Sequence, residues 1–224
     1  MRFFAVLFTV FFSLAACAED KAQSTAPAYK EGVHYVTLPK AYPVDDPSKI
    51  EVAEVFWYGC SHCFHFEPLA RTWKAVAPSD VNFVRVPAVW NGLMELHSRM
   101  FYAAEELGIL DKVHQPIFDA MHPQQPESIV IVKRQPKMFK SFEEIAEFFS
   151  EYGVAKDDAL KALQAHTVVE KVNAANARAR AYQISGTPQL VVHGKYRIET
   201  NGNTTQADLF KVADFLVAKI RSEK

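Results

Sequence analysis

The chain is predicted to be an α/β protein, with a β-α-β start and a β-β-α end separated by a long all-helical insertion. Strand-like runs cluster in residues 33–90 and 188–198, whereas residues from about 95 to 183 show helical periodicity and few strand signals. The apolar strand Val52-Ala53-Glu54-Val55-Phe56-Trp57 leads directly into a Cys-x-x-Cys pair, Cys60 and Cys63, and then into a segment with helical spacing. At 224 residues, 49% of them hydrophobic, the chain can bury a sizeable core.

The first 17 residues read as an export signal. Arg2 supplies a minimal positive start, and Phe3 to Leu14 is an apolar stretch too short to span a membrane comfortably. Leu14-Ala15-Ala16-Cys17 matches a lipobox, so Cys17 is expected to be lipidated. An ordinary signal-peptidase site at Ala16-Cys17-Ala18 is the alternative. Residues 18–30 are small and polar, as a flexible tether would be.

Val33–Leu38 alternates like a strand, and Ala41–Lys49 is a turn-rich link. The strand Glu51–Tyr58 follows, then a helix after Cys60 with Phe66, Leu69, Ala70, Trp73 and Val76 at helical spacing. Asp80–Trp90 is the next strand, which implies a parallel β-α-β unit. Helices are predicted over Leu96–Leu107 and Asp111–Met121. Another opens at the capping box Ser141-Phe142-Glu143-Glu144 and closes at Gly153; Asp157–Ala165 and Val168–Tyr182 follow. The apolar run Ile129–Val132 fits a strand, a helical turn or a loop equally well. Strand character returns at Pro188–His193, with a turn at Gly194-Lys195 and a return strand Tyr196–Ile198. Gln206–Arg221 is an amphipathic helix with Leu209, Val212, Ala213, Leu216, Val217 and Ile220 on one face.

The chemistry centres on the cysteines. A cysteine at a helix N-terminus meets unpaired backbone N–H groups and the positive end of the helix dipole, both of which stabilise a thiolate. The thiolate is the attacking and leaving species in disulfide exchange. Beyond Cys17 the chain has only Cys60 and Cys63, too few for a structural disulfide framework. A net charge of −1 and the absence of a basic block argue against nucleic-acid binding.

Glu54 to Glu67 (EVFWYGCSHCFHFE), Gly186-Thr187-Pro188, His193-Gly194-Lys195-Tyr196 and the closing helix together resemble the DsbA family of periplasmic thiol–disulfide oxidoreductases. The resemblance implies a thioredoxin fold with a central mixed β-sheet over residues 31–93 and 184–224, and a helical insertion domain over 94–183. It implies a cis bond before Pro188, with Thr187 beside the cysteines, and Glu54 and Glu67 as acids that relay protons to Cys63. His62 would favour the reduced form, and Cys60–Cys63 would form the redox disulfide. It also implies no cofactor, reduced exported proteins as substrates, reoxidation by a quinone-linked DsbB-like membrane protein, a periplasmic location and a monomer. Two departures stand out. The dipeptide is Ser61-His62, where Pro-His is commoner, and Pro78-Ser79-Asp80 replaces a lysine that often pairs the two acids, so any such pairing must be different or absent.

Three rival readings share these residues. A reductase or isomerase would carry the same motif. A metal-binding module would use the cysteines with His62 or His65, although zinc usually wants four ligands. Trp57, Tyr58, Phe64 and Phe66 could line a substrate groove, although more of them are expected in the core, and a non-catalytic holdase would use that groove alone.

Overall fold

The computed structural model describes residues 29–123, 136–202 and 204–223. The export signal, Cys17, most of the tether and the run Ile129–Val132 lie outside them.

Strand β2 (Ile50–Phe56) is the centre of the sheet, and every one of its residues is buried. Its β-branched run suits a strand covered on both faces. Helix α1 (Ser61–Val76) crosses over to β3 (Val81–Pro87), which pairs parallel to β2. Near the C-terminus, β4 (Gln189–Val192) pairs antiparallel to the other side of β2, and β5 (Tyr196–Ile198) pairs antiparallel to β4. The short β1 (Tyr35–Thr37) closes the far edge, giving the order β1-β5-β4-β2-β3.

The side-chain alternation of β2 separates two cores. Ile50 and Val52, with Leu190 and Val192, face α1 and α7 (Gln206–Ser222). There Phe210 stacks between Phe66 and Trp73 at ring distances of 5.0 and 4.9 Å. The predicted stripe from Leu209 to Ile220 is buried throughout. Ala53, Val55 and Val191 face the opposite side, against Ala175 and Ala179 of α6 (His166–Ala181) and its C-cap Tyr182.

Helices α2 (Gly92–Glu106), α3 (Leu110–Met121), α4 (Phe142–Ser150) and α5 (Lys156–Gln164), together with α6, lie between β3 and β4 in the chain. Their core includes Met100, Phe118, Phe149 and Leu163, and it also takes in Phe56, Tyr58, Cys63 and Phe64. The segment around the cysteines is therefore packed into the helical core.

Two local details differ from expectation. The hairpin connection runs over three residues, His193–Lys195, between the paired Val192 and Tyr196, so it takes in His193 as well as the expected Gly194-Lys195. His193 and Gly194 both have positive φ (52° and 61°), and Lys195 N–H bonds the Val192 carbonyl at 3.0 Å. At Ser141 the side chain accepts from Glu144 N–H, but the Glu144 carboxylate takes the Lys140 N–H instead of closing back on Ser141.

Candidate active site

Strand β2 stops at Phe56, and Trp57–Gly59 turns the chain so that Cys60 N–H bonds the Trp57 carbonyl at 3.0 Å. A Cβ on Gly59 would lie 2.3 Å from the Trp57 ring, so a side chain there would have to displace that ring. Cys60 is the N-cap of α1, with extended backbone (φ −90°, ψ 116°), and its carbonyl accepts from Phe64 N–H. Cys63, one turn on, is fully buried, while Cys60 is partly exposed. Both thiols are free.

The two sulfurs are driven in opposite directions. A hydrogen bond from the Cys63 thiol brings Cys60 down to about 5 against the cost of its burial, helped by the Thr187 side chain and the Cys63 and His62 backbone N–H groups. Burial raises Cys63 well above an ordinary thiol, and the nearby charges of Cys60 and Glu54 push it the same way.

The Thr187–Pro188 bond is cis, and the Thr187 carbonyl lies 3.3 Å from Cys60 Sγ. His62, Thr187, Pro188, Gln206 and Leu209 line a cleft of about 260 Å³ beside the cysteine. Gln206, at the start of α7, donates to the His62 carbonyl at 2.9 Å. Cys60, Cys63, His62, Thr187 and Pro188 thus meet at one end of the sheet.

Glu54 and Glu67 lie beneath this end, both buried. The cation between them is Arg85, which stands opposite Glu54 in the β2–β3 register. Its Nη2 donates to both Glu67 oxygens at 2.8 and 3.0 Å, whereas its Nε stands 3.5 Å from Glu54 Oε2. Burial raises Glu54 to about 8, with Arg85 opposing and Glu67 adding to the rise. For Glu67, burial is outweighed by the His114 hydrogen bond and by Arg85, so its carboxyl falls below the ordinary range. His114 on α3 stands 3.3 Å from Glu67 Oε2 through Nε2, while Nδ1 meets the Tyr58 hydroxyl at 2.7 Å. Burial lowers the His114 imidazole and favours the neutral ring, in which Nε2–H donates to Glu67 and Nδ1 accepts from Tyr58.

Two more histidines brace the turn. Trp57 Nε1 donates to His97 Nδ1 at 2.9 Å, and His97 Nε2 donates to the Met138 carbonyl at 2.7 Å. His122 donates to the Tyr58 carbonyl at 2.8 Å and stacks on Phe64. Of the aromatic residues considered as groove lining, Tyr58, Phe64 and Phe66 are core. Arg85 and His114 are not singled out by the sequence pattern, and Tyr58, expected as groove lining, is instead a hydrogen-bond partner of His114. The available signals were an arginine inside an apolar strand and a histidine within the apolar stripe Val113-His114-Ile117-Phe118. Among the described residues, no three His, Cys, Asp or Glu side chains converge to hold a metal ion.

Residues 82–212 match the model of the DSBA-like thioredoxin domain family. The chain is 42% identical over 203 residues to the thiol:disulfide interchange protein DsbA of Azotobacter vinelandii, covering 90% of each sequence. It superposes on the crystal structure of Pseudomonas aeruginosa DsbA with a TM-score of 0.78 and 37% identity, over 88% of this chain and 97% of that one. For the Xylella fastidiosa oxidoreductase DsbA the TM-score is 0.74 at 32% identity, over 84% and 96%.

Proposed function

The chain belongs to the DsbA family of thiol:disulfide oxidoreductases, and from that premise we propose how its residues divide the work of introducing disulfides into exported proteins. The observation that carries the reading is the asymmetry of the pair: Cys60 is partly exposed and held down to about 5, while Cys63 is buried and raised.

In the oxidised enzyme Cys60 and Cys63 form a disulfide. A substrate thiolate attacks Cys60 Sγ, the Cys60–Cys63 bond breaks, and Cys63 leaves and takes a proton. A second substrate thiolate then attacks the substrate sulfur of the mixed disulfide, and Cys60 leaves as a thiolate. Two electrons pass to the enzyme and the substrate gains one disulfide. A low-pKa leaving group speeds the last step and stabilises the reduced product.

Glu54, mostly protonated at neutral pH, supplies the proton to Cys63 and takes one back during reoxidation. Thr187 and Pro188 line the substrate-facing side, with the Thr187 side chain stabilising the Cys60 thiolate, and His62 faces the cleft. Glu67 holds the counter-charge to Arg85. The same reading places residues 31–93 and 184–224 in the redox domain, with 94–183 as its helical insertion. It makes the protein a periplasmic monomer, anchored through Cys17 and reoxidised by a quinone-linked membrane partner. The short apolar leader Phe3–Leu14, the lipobox Leu14–Cys17 and the small, polar residues after it support that location.

Stoichiometric mixing of the oxidised protein with a reduced, unfolded multi-cysteine substrate tests the central step. Transfer of one disulfide per enzyme, lost in Cys60→Ser, is expected. Inability to oxidise the substrate, combined with ready reduction of an existing disulfide, would assign the chain to the reductive branch instead.

A further inference from the structure

Two buried carboxylates share one guanidinium in this site, and they do not share it equally. Glu67 receives both short bonds from Arg85 Nη2, at 2.8 and 3.0 Å. Glu54 faces only Nε at 3.5 Å, and neither Glu54 Oε2 nor Arg85 Nε has a hydrogen-bond partner among the described residues. A third donor reinforces the imbalance. His114 reaches Glu67 Oε2 from α3, and its ring is oriented from behind by the Tyr58 hydroxyl.

We propose that His114 is a positioning residue that decides which carboxylate carries the proton: its bond to Glu67 keeps Glu67 ionised and leaves Glu54 as the proton carrier for Cys63. The inference deepens the reading above and rests on its claim that Glu54 exchanges a proton with Cys63.

The chemistry of the pocket supports the assignment. Two adjacent carboxylates with one cation between them cannot both ionise cheaply, so whichever gains more donors holds the charge. The imidazole is walled by the rings of Phe56, Phe101 and Phe118, which exclude water and strengthen the bond. The charged and titratable groups around it are Glu67 and Lys74 from α1, Arg85 from β3, Glu54 from β2 and Tyr58 from the turn. Burial pushes the imidazole below its ordinary value and so favours the neutral ring, whose Nε2–H donates to Glu67. The position is also distinctive in the chain. His114 belongs to the helical insertion, so a residue outside the redox strand and helix would tune the buried acid next to Cys63.

The consequence concerns ring closure. In the mixed disulfide between Cys60 and glutathione, Cys63 loses its proton to the Glu54 carboxylate. Its thiolate attacks Cys60 Sγ and glutathione leaves as a thiolate. The rate of that step should rise with pH through the Glu54 ionisation. Without the His114 donor, Glu67 takes up a proton more readily, Arg85 turns toward Glu54, and Glu54 ionises at lower pH.

The experiment is rapid-quench measurement of ring closure in the full-length protein at saturating glutathione disulfide, from pH 5 to 9.5. Thiolate absorbance titration of Cys60 runs alongside. Glu54→Gln should abolish the inflection; if it keeps the wild-type inflection, the underlying role of Glu54 falls and the inference falls with it. Given that loss, His114→Phe should move the midpoint down by about one pH unit. His114→Gln, whose amide N–H can replace Nε2–H, should restore the wild-type midpoint. Tyr58→Phe, which removes one hydroxyl and keeps the packing, should shift it the same way by less, and it carries the test if His114→Phe does not fold. Cys60 should titrate unchanged in all of them. The inference is overturned by an unmoved midpoint in both His114→Phe and Tyr58→Phe. It is equally overturned if the phenylalanine and glutamine variants shift alike, or if Cys60 moves with the midpoint.

Discussion

Replacing Cys60 by serine and following the stability of the reduced protein with pH tests the source of the driving force directly. In the folded protein Cys60 is brought from the ordinary thiol value of 9.0 to about 5. A depressed acid contributes stability that is complete above its unfolded value and is lost as pH falls through its folded value, so the window runs from about 9 down to 5. At pH 7, two units above the folded value, the thiolate contributes up to about 2.7 kcal/mol at 1.36 kcal/mol per unit. Cys60 is partly open to solvent, and screening reduces this to about 1–2 kcal/mol. Only the reduced form holds the thiolate, so the same energy raises the disulfide potential by roughly 20–40 mV. Denaturant unfolding of reduced wild type and Cys60→Ser between pH 4.5 and 8.5 measures it. The wild-type advantage should grow steadily with pH and vanish near pH 4.5. An advantage that is constant across the range, or a thiolate absorbance midpoint above pH 8, would refute the reasoning.

Three further outcomes are expected. Glu54→Gln should gain stability over wild type as pH rises, because a carboxyl raised from 4.5 to about 8 costs the fold stability across that window. The gain should reach about 3–5 kcal/mol by pH 8, and unfolding free energies at pH 5 and 8 check it. Since this slope opposes that of Cys60, each variant must be compared with wild type at every pH. Phe210→Ala should lose about 3–5 kcal/mol in denaturant unfolding, because it empties the slot between Phe66 and Trp73. Gly194→Ala should lower the unfolding midpoint substantially, at a cost of about 2–4 kcal/mol, because φ is 61° and the new Cβ would stand 2.1 Å from the Tyr42 carbonyl oxygen.

The parts of the molecule that depend on neighbours in sequence were legible, and those that depend on register were not. The β2–α1–β3 unit, the Cys60 N-cap position and the buried face of α7 all follow from local periodicity and helix-end chemistry. The roles of Thr187 and Glu54 could be approached only through resemblance, because 127 residues separate Cys60 from the Thr187 carbonyl it meets. Arg85 was invisible for a different reason. Its value depends on the parallel register that sets it opposite Glu54, and a shift of one residue would turn it to the other face of the sheet. His114 sits in an apolar helical stripe, where the pattern alone does not distinguish a packed histidine from one aimed at a carboxylate. The hairpin connection is one residue longer than Gly194-Lys195, because glycine marks one residue of positive φ and here His193 supplies a second.

The missing lysine at Pro78-Ser79-Asp80 turns out to relocate the counter-charge, not remove it. A cation on the link before β3 would approach the acids from the end of the strand. Arg85 comes instead from within β3, with a planar fork that can serve two carboxylates at once, which a single ammonium point charge does less well. A fork shared unequally needs something to set the division, and His114 supplies that from α3. The result is a pair of carboxylates pushed in opposite directions beneath a pair of thiols pushed in opposite directions. Cys60 is kept ready to leave as an anion and Cys63 ready to take a proton, while Glu54 stands between the two protonation states near neutral pH. Both pairs obey the same rule. Each holds one member charged by surrounding it with donors, and its neighbour is left to carry the proton.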